Sequence, residues 1–308
     1  MAAGKINLQA NDGKILGLYA PDGMNANTDT VPASVNGDAT KTFKVANAIN
    51  ADEALAKGQF NPLIHSVMDQ IFYVDATNGN DTNDGSSAYP FKTIKKACDS
   101  VVVGGIADIN LLAGQTYVLE SDIYIYNKKI RFLKQGNGNN PIVTTNTRTQ
   151  TYGSNTYAEV NNFRISGGAA LNFHGDVDIV VPSNGTGNSI SFVNNGFIVP
   201  TYDTYNGSFI GFHYCSITIN GDFPLINNHN WNGGSPFTDI KFWGVGVNLM
   251  KAGTKVINYI GDSTCSIGWS AELKDSSGNY ISVSGNLLSG IVKDANGVPR
   301  NIISNIVF

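Results

Sequence analysis

The sequence predicts a mainly β protein whose larger part winds as a solenoid of stacked strands, and three observations carry that reading. The first is composition. The 308 residues include 38 Asn and 34 Gly against 4 Glu, 4 Arg and 6 Gln, so turn formers stand where helix builders would be. The second is a recurring apolar-x-Phe triplet: Leu171-Asn172-Phe173, Ile190-Ser191-Phe192, Ile210-Gly211-Phe212 and Ile240-Lys241-Phe242, at steps of 19, 20 and 30 residues. Ile130-Arg131-Phe132 precedes the series by 41 residues, and Lys274-Asp275-Ser276-Ser277-Gly278 recurs 19 residues on as Lys293-Asp294-Ala295-Asn296-Gly297. The third is the scarcity of helical periodicity.

A period near 20 suits one coil of a solenoid, in which alternate residues of each strand face inward and equivalent residues of successive coils lie about 4.8 Å apart. Phe173, Phe192 and Phe212 are then expected to form an aromatic ladder, and roughly 200 residues to give about ten coils. The competing arrangement is an antiparallel sandwich with evenly spaced strands. Asparagine fits sharp corners because it tolerates left-handed backbone. The pairs Asn161-Asn162, Asn194-Asn195 and Asn227-Asn228 are therefore placed at corners.

Along the chain, residues 1–48 read as a small β region with turns at Asn11-Asp12-Gly13, Pro21-Asp22-Gly23 and Asn36-Gly37-Asp38. Residues 49–71 hold one helical stripe, Ile64, Val67, Met68 and Ile71, too short to stand alone. Residues 72–100 supply a strand, an Asn/Asp/Gly loop and a short helix, residues 101–272 the solenoid, and 273–308 its last coils or a β cap.

Phe43-Lys44-Val45-Ala46-Asn47-Ala48 leading into Asp52-Glu53-Ala54-Leu55-Ala56-Lys57-Gly58-Gln59-Phe60 resembles the neck of trimeric phage tail fibres and related trimeric adhesins. An ordinary surface helix of a monomer is the alternative for this stretch. Phe72-Tyr73-Val74-Asp75, the loop through Ser86, and Tyr89-Pro90-Phe91-Lys92-Thr93-Ile94-Lys95-Lys96-Ala97-Cys98 are similar to the entry segment of pectate-lyase-like right-handed β-helices. In that setting the helix covers the open end of the stack, with Ile94, Ala97 and Cys98 turned towards it. The resemblance implies a phage tail fibre or tailspike protein with a right-handed parallel β-helix, assembled as a homotrimer in the virion.

Composition also excludes classes. A net charge of −4 without a basic tract argues against nucleic acid. The first residues lack a secretory segment, and no apolar run is long enough to enter a membrane, so synthesis in a reducing cytoplasm is expected. Cys98, Cys215 and Cys265 read as packed thiols. No cofactor is implied, because the glycines form no phosphate cradle and His65, His174, His213 and His229 lack metal-ligand spacing. Aligned as a calcium loop, Asn80, Thr82, Asp84 and Gly85 would be followed by Phe91 where a bidentate Glu is needed, so Asx turns are the better reading.

Candidate functional residues fall into three groups. The extra length of the 30-residue step coincides with Leu225 to Phe237, read as a loop leaving the wall, where Trp231 can stack on a sugar face while Asn228, His229 and Asn230 meet hydroxyls. Tyr202, Asp203 and Tyr205 form a second aromatic corner. In Asn172-Phe173-His174-Gly175-Asp176-Val177-Asp178, strand alternation places His174, Asp176 and Asp178 outward, the two carboxylates about 6.6 Å apart. That is near the lower end of the separation used by inverting glycosidases, and Glu159 is a third candidate from a neighbouring coil. Trp231 and the other named loop residues can equally be packing elements, and the carboxylates a solvated wall.

Three functions follow from these readings. The first is binding of a bacterial surface polysaccharide by a tail protein that attaches to other phage tail proteins through residues 1–48. The second is a polysaccharide hydrolase or lyase on the same scaffold. The third is a structural adaptor in the tail.

Overall fold

The computed structural model describes residues 69–184, 189–190, 196–200, 207–229, 237–260 and 264–308, together with two short strands near the amino terminus. The chain divides into two units, Met1–Val67 and Met68–Phe308. In the first, β1 (Ile6–Gln9) and β2 (Ile15–Leu18) pair antiparallel, with Ile6 opposite Leu18.

The second unit is mainly β with one short helix, and its strands pair almost throughout in parallel. It begins with β3 (Asp69–Val74) and the helix α1 (Ile94–Ser100). Ile71 therefore lies on an outward, exposed strand position and not on the expected helical stripe, whose other three residues fall outside the described region. Helix α1 starts at Thr93, whose hydroxyl accepts from the Lys96 amide at 3.1 Å. Asp81 holds that start in place by accepting from Thr93 Oγ1 at 2.8 Å and from the Lys92 and Thr93 amides. Ile94, Ala97 and Cys98 are buried, and the helix packs on β3 and the first coil, as a cap over an open stack should. The preceding loop is ordered by its own Asx turns: Asp75, Asn80 and Asp84 accept from the amides of Thr77, Thr82 and Ser86.

The first coil comprises β4 (Ile106–Leu112), β5 (Thr116–Leu119) and β6 (Ile123–Tyr126). The second contains β7 (Lys129–Gln135) and β8 (Ile142–Thr145), a hairpin of β9 (Thr147–Tyr152) and β10 (Asn155–Val160), and then β11 (Phe163–Ser166). The third has β12 (Ala170–His174), β13 (Asp178–Val181), the bridge strand β14 (Ser189–Ile190) and β15 (Ile198–Pro200). β16 (Ser208–His213), β17 (Ser216–Ile219) and β18 (Ile226–His229) make the fourth. The long β19 (Phe237–Leu249) with β20 (Ile257–Ile260) makes the fifth. β21 (Thr264–Lys274), β22 (Leu288–Ser289) and β23 (Ile302–Ser304) complete the stack.

One wall runs β3-β4-β7-β12-β16-β19, a second runs β5-β8-β13-β17-β19, and a third is β6-β11-β15-β18-β20-β22. β19 belongs to two walls: Ser208–His213 pairs with its first half and Ser216–Ile219 with its second, so one large parallel sheet is curled around a corner. The result is a β-helix-like fold.

Register corrects the repeat length. Ile130, Leu171, Ile210, Ile240 and Ile267 are direct neighbours on successive strands, so a coil spans 41, 39, 30 and 27 residues at these steps. The extra length of each coil lies in long corner segments and, in the second coil, the β9–β10 hairpin, and among the described residues six coils take the place of ten. Ile190 does not belong to the ladder at all; it pairs with Ala158 on the hairpin sheet, and Phe192 lies outside the described residues. The aromatic ladder itself is present and longer than expected. Phe132, Phe173, Phe212, Phe242 and Trp269 follow one another with ring centroids 5.2, 5.8, 4.9 and 4.8 Å apart. The two Lys-Asp-x-x-Gly segments are equivalent turns, with Gly278 and Gly297 both at φ 81° and Asp275 and Asp294 accepting from the amides that follow.

All three cysteines are buried and free. Burial first, and then the neighbouring Asp178 carboxylate, pushes the Cys215 thiol up to about 12. Its neutral form is favoured in the folded state, so the stability it contributes is complete below the unfolded thiol value of about 8.5 and is lost as pH rises towards 12. A disulfide-exchange reagent at pH 8 should leave the native thiols unmodified and react with all three after denaturation. Phe173→Ala should cost about 3–5 kcal/mol in a denaturant titration, because its ring is fully enclosed between Phe132 and Phe212.

Candidate functional site

The outward positions between the buried ladder residues form rows across the first wall. One row is Leu133, His174, His213, Trp243 and Ser270; the next is Arg131, Asn172, Gly211, Lys241 and Gly268. The His174 and His213 rings lie 5.3 Å apart. Partial burial, with His174 adjacent, lowers the His213 pKa, so its ring is uncharged at neutral pH.

The rows end at a corner that the backbone turns with left-handed residues: Gly175 at φ 59°, Asp176 at 63°, Tyr214 at 52° and Gly244 at 63°. The Asp176 amide donates to the Tyr214 carbonyl at 3.1 Å and the Tyr214 amide to the Trp243 carbonyl at 2.9 Å, so the corners stack like the strands. A tyrosine in this backbone region is uncommon and strained. What the strain achieves is the placement of its ring. A β-carbon on Gly244 would lie 2.7 Å from Tyr214 Cδ1, which shows that the ring occupies the space above that glycine. Trp243 Nε1 donates to the Tyr214 hydroxyl at 2.9 Å and fixes the two rings relative to one another. Both remain open to solvent, each 58% exposed.

Beside this pair a cavity of about 570 Å³ is lined by Gly244, Val245, Gly246, Trp269, Ser270, Ala271 and Glu272. Glu272 is paired with Lys274 at 2.8 Å, which holds its carboxyl below the usual range, and Tyr280 donates to it at 3.2 Å. Two large exposed aromatics fixed relative to one another can stack on a sugar ring, and their polar edges can meet its hydroxyls.

The anticipated residues are distributed differently. His174 stands in the row just described. Asp176 is exposed at the corner beside Tyr214, off both strands, so the regular strand spacing anticipated between it and Asp178 does not hold. Asp178 is a structural tether: its Oδ1 accepts from the Ser216 amide at 3.0 Å and Asn140 Nδ2 at 3.2 Å, joining three coils. Glu159 lies on the β9–β10 hairpin, almost completely buried, with Arg148 Nε at 3.2 Å and the Tyr152 hydroxyl at 2.9 Å. Asn228 and His229 lie on β18, in register with Tyr259 and Ile260, so the anticipated loop is wall as far as His229. Asn228 is fully enclosed there and cannot meet a ligand from that position. Asn161 and Asn162 do sit at a corner, whereas Asn227 shares the strand with Asn228. Tyr202, Asp203, Tyr205, Asn230 and Trp231 lie outside the described residues.

His213, Tyr214, Trp243 and Gly244 were not anticipated from sequence. For His213 and Trp243 the signal was present one residue beyond each aligned triplet: Phe173-His174, Phe212-His213 and Phe242-Trp243 place the second member outward at the same height of the wall.

No family model matches the chain, and no curated protein does. Among solved structures it is similar to the GH136 lacto-N-biosidase from Eubacterium ramulus. The native crystal structure aligns at a TM-score of 0.40 and 11% identity over 68% of this chain and 46% of that one. The selenomethionine derivative aligns at 0.38 and 13%, over 70% and 43%. The chain thus spans less than half the length of that enzyme.

Asp178→Ala should destabilise the protein by about 1–3 kcal/mol in thermal or denaturant unfolding, since it strands the Ser216 amide and breaks the tether. Asp176→Ala loses no tether and should cost only about 1 kcal/mol in the same measurement, from the left-handed backbone that Ala tolerates less well than Asp.

Proposed function

We propose that this chain is a carbohydrate-binding component of a phage tail, which holds a bacterial surface polysaccharide against the Tyr214–Trp243 pair. The observation that carries the reading is that pair: two exposed rings locked by the Trp243 to Tyr214 hydrogen bond, next to Gly244, which also lines a cavity. Exposed aromatics held at fixed geometry stack on sugar rings with little loss of side-chain entropy. The row through His213 and His174 extends the surface along the stack.

The tail setting rests on the residues of the neck and of the β-helix entry segment. In that setting the parallel walls form a closed helix, right-handed as parallel crossovers prefer. Three copies assemble through the neck, residues 1–48 attach to other tail proteins, and the protein resides in the virion.

Cleavage of the polysaccharide is a second reading with one observation of its own. The Asp176 carboxylate is exposed beside the aromatic pair, at a left-handed corner, and carries no hydrogen bond from the described residues. An untethered carboxylate next to a bound sugar is placed to take or give a proton.

Light scattering should give a particle of three times 32.8 kDa. Retention on immobilised host polysaccharide should fall about tenfold in Trp243→Ala, the loss expected for removing one stacking ring. Absence of binding by the parent protein would overturn the reading. Release of new reducing ends or unsaturated sugars by the parent, abolished in Asp176→Asn, would convert binding into catalysis.

A further inference from the structure

We infer that the glycan taken by this site is uncharged, and that Gly244 is a specificity-determining position because it seats the Tyr214 ring. The inference rests on the carbohydrate reading above and names the class of ligand within it.

The argument starts from charge. In the two outward rows that form the site, Arg131 is held by Asp108 at 2.7 Å and Lys241 by Asp239 at 3.0 Å. At the cavity, Lys274 is held by Glu272 at 2.8 Å. These three cations therefore already have their counter-ions, and Lys134, beside Leu133 of the first row, is held by Asn140 Oδ1 at 3.1 Å. Lys129, which stands in a third row on the second coil, is separated from Trp243 by two intervening coils of wall. His213 is neutral at physiological pH because it is partly buried beside His174. The Asp176 carboxylate has no ion pair or hydrogen bond among the described residues, and the Asp176 amide donates to the Tyr214 carbonyl. A uronate or sialate would meet no free cation here and one like charge, and anionic ligands need the reverse arrangement, a basic cluster with open hydrogen-bond donors. An uncharged sugar needs only ring faces and hydrogen-bond partners, which the aromatic pair and the cavity provide.

The platform is built rather than incidental. Gly244 is the residue at which β19 breaks register with β21, between Trp243 and Val245. The same glycine makes room for the Tyr214 ring. The corresponding device recurs nearby. A β-carbon on Gly211 would collide with Asn172 Oδ1, and one on Gly268 would lie 2.7 Å from Lys241 Cδ. Side chains of one coil thus lie flat over glycines of the next. Filling Gly244 removes the seat while leaving both aromatic residues in the chain.

The test uses the full-length protein and a panel of purified bacterial O-antigens and capsules, sorted into repeats without charge and repeats carrying a uronate or sialate. Binding is read by biolayer interferometry at 50 and 500 mM NaCl. The expected result is binding to uncharged repeats alone, with affinity unchanged across that salt range. Gly244→Ala and Tyr214→Ala should each weaken it about tenfold, while Tyr89→Ala, at an exposed ring of the entry loop outside both rows, should leave it within about twofold. Circular dichroism and thermal unfolding of each variant show whether the stack is retained, and Tyr214→Phe, which keeps the ring, separates loss of the platform from loss of the fold. Binding to an acidic repeat that weakens with salt overturns the inference and leaves the carbohydrate reading standing. Binding to neither class overturns both.

Discussion

The structure depends on one constraint: every strand of the large sheet must keep the same residue parity as the strand before it. Ile130, Leu171, Ile210, Ile240 and Ile267 occupy one inward column and Phe132, Phe173, Phe212, Phe242 and Trp269 the next. A slip of one residue on any coil would turn both columns outward and bring Arg131, Asn172 or Lys241 into the interior. Coils of very different length are tolerated because extra residues leave at corners or as the β9–β10 hairpin, without disturbing parity. The same parity that buries the phenylalanines fixes His174, His213 and Trp243 in one outward row. The candidate site is therefore the outer image of the core.

Polar tethers complement the apolar ladder where it cannot reach. Asp178 ties three coils at one corner, Asn161 donates to the Leu119 carbonyl at 2.9 Å, and Asp122 accepts from Arg164 at 3.0 Å across successive coils. Short polar side chains suit this work because a corner leaves backbone groups without ladder partners. The abundance of Asn and the shortage of Glu, Gln and Arg express the same need.

Much of this architecture was legible in the sequence, for identifiable reasons. The apolar-x-Phe triplets carry parity directly, so the wall and its ladder could be read from them. Thr93, Ile94, Ala97 and Cys98 carry a local helix start and an apolar face, and the cap followed. Coil length was not legible, because Ile190 mimics the triplet while pairing with Ala158 on another sheet. Ile71 looked helical because Ile64, Val67 and Met68 precede it at helical spacing, yet its own neighbours Phe72 to Val74 alternate as a strand. The carboxylates misled for a related reason: alternation was carried through Gly175 and Asp176, where the backbone turns left-handed and strand geometry stops. Tyr214 and Gly244 escaped notice because their relation is a contact between positions 30 residues apart, visible only once register is known.

The glycines beneath outward side chains tie distant parts of the gene together. Gly211 and Asn172, Gly244 and Tyr214, and Gly268 and Lys241 are each a lock of two positions, one bulky and one empty. Neither member can be enlarged alone, so such a surface should diversify by coordinated exchange within a lock while the buried columns stay fixed. The outer wall can then change its surface chemistry while the scaffold beneath it keeps its register.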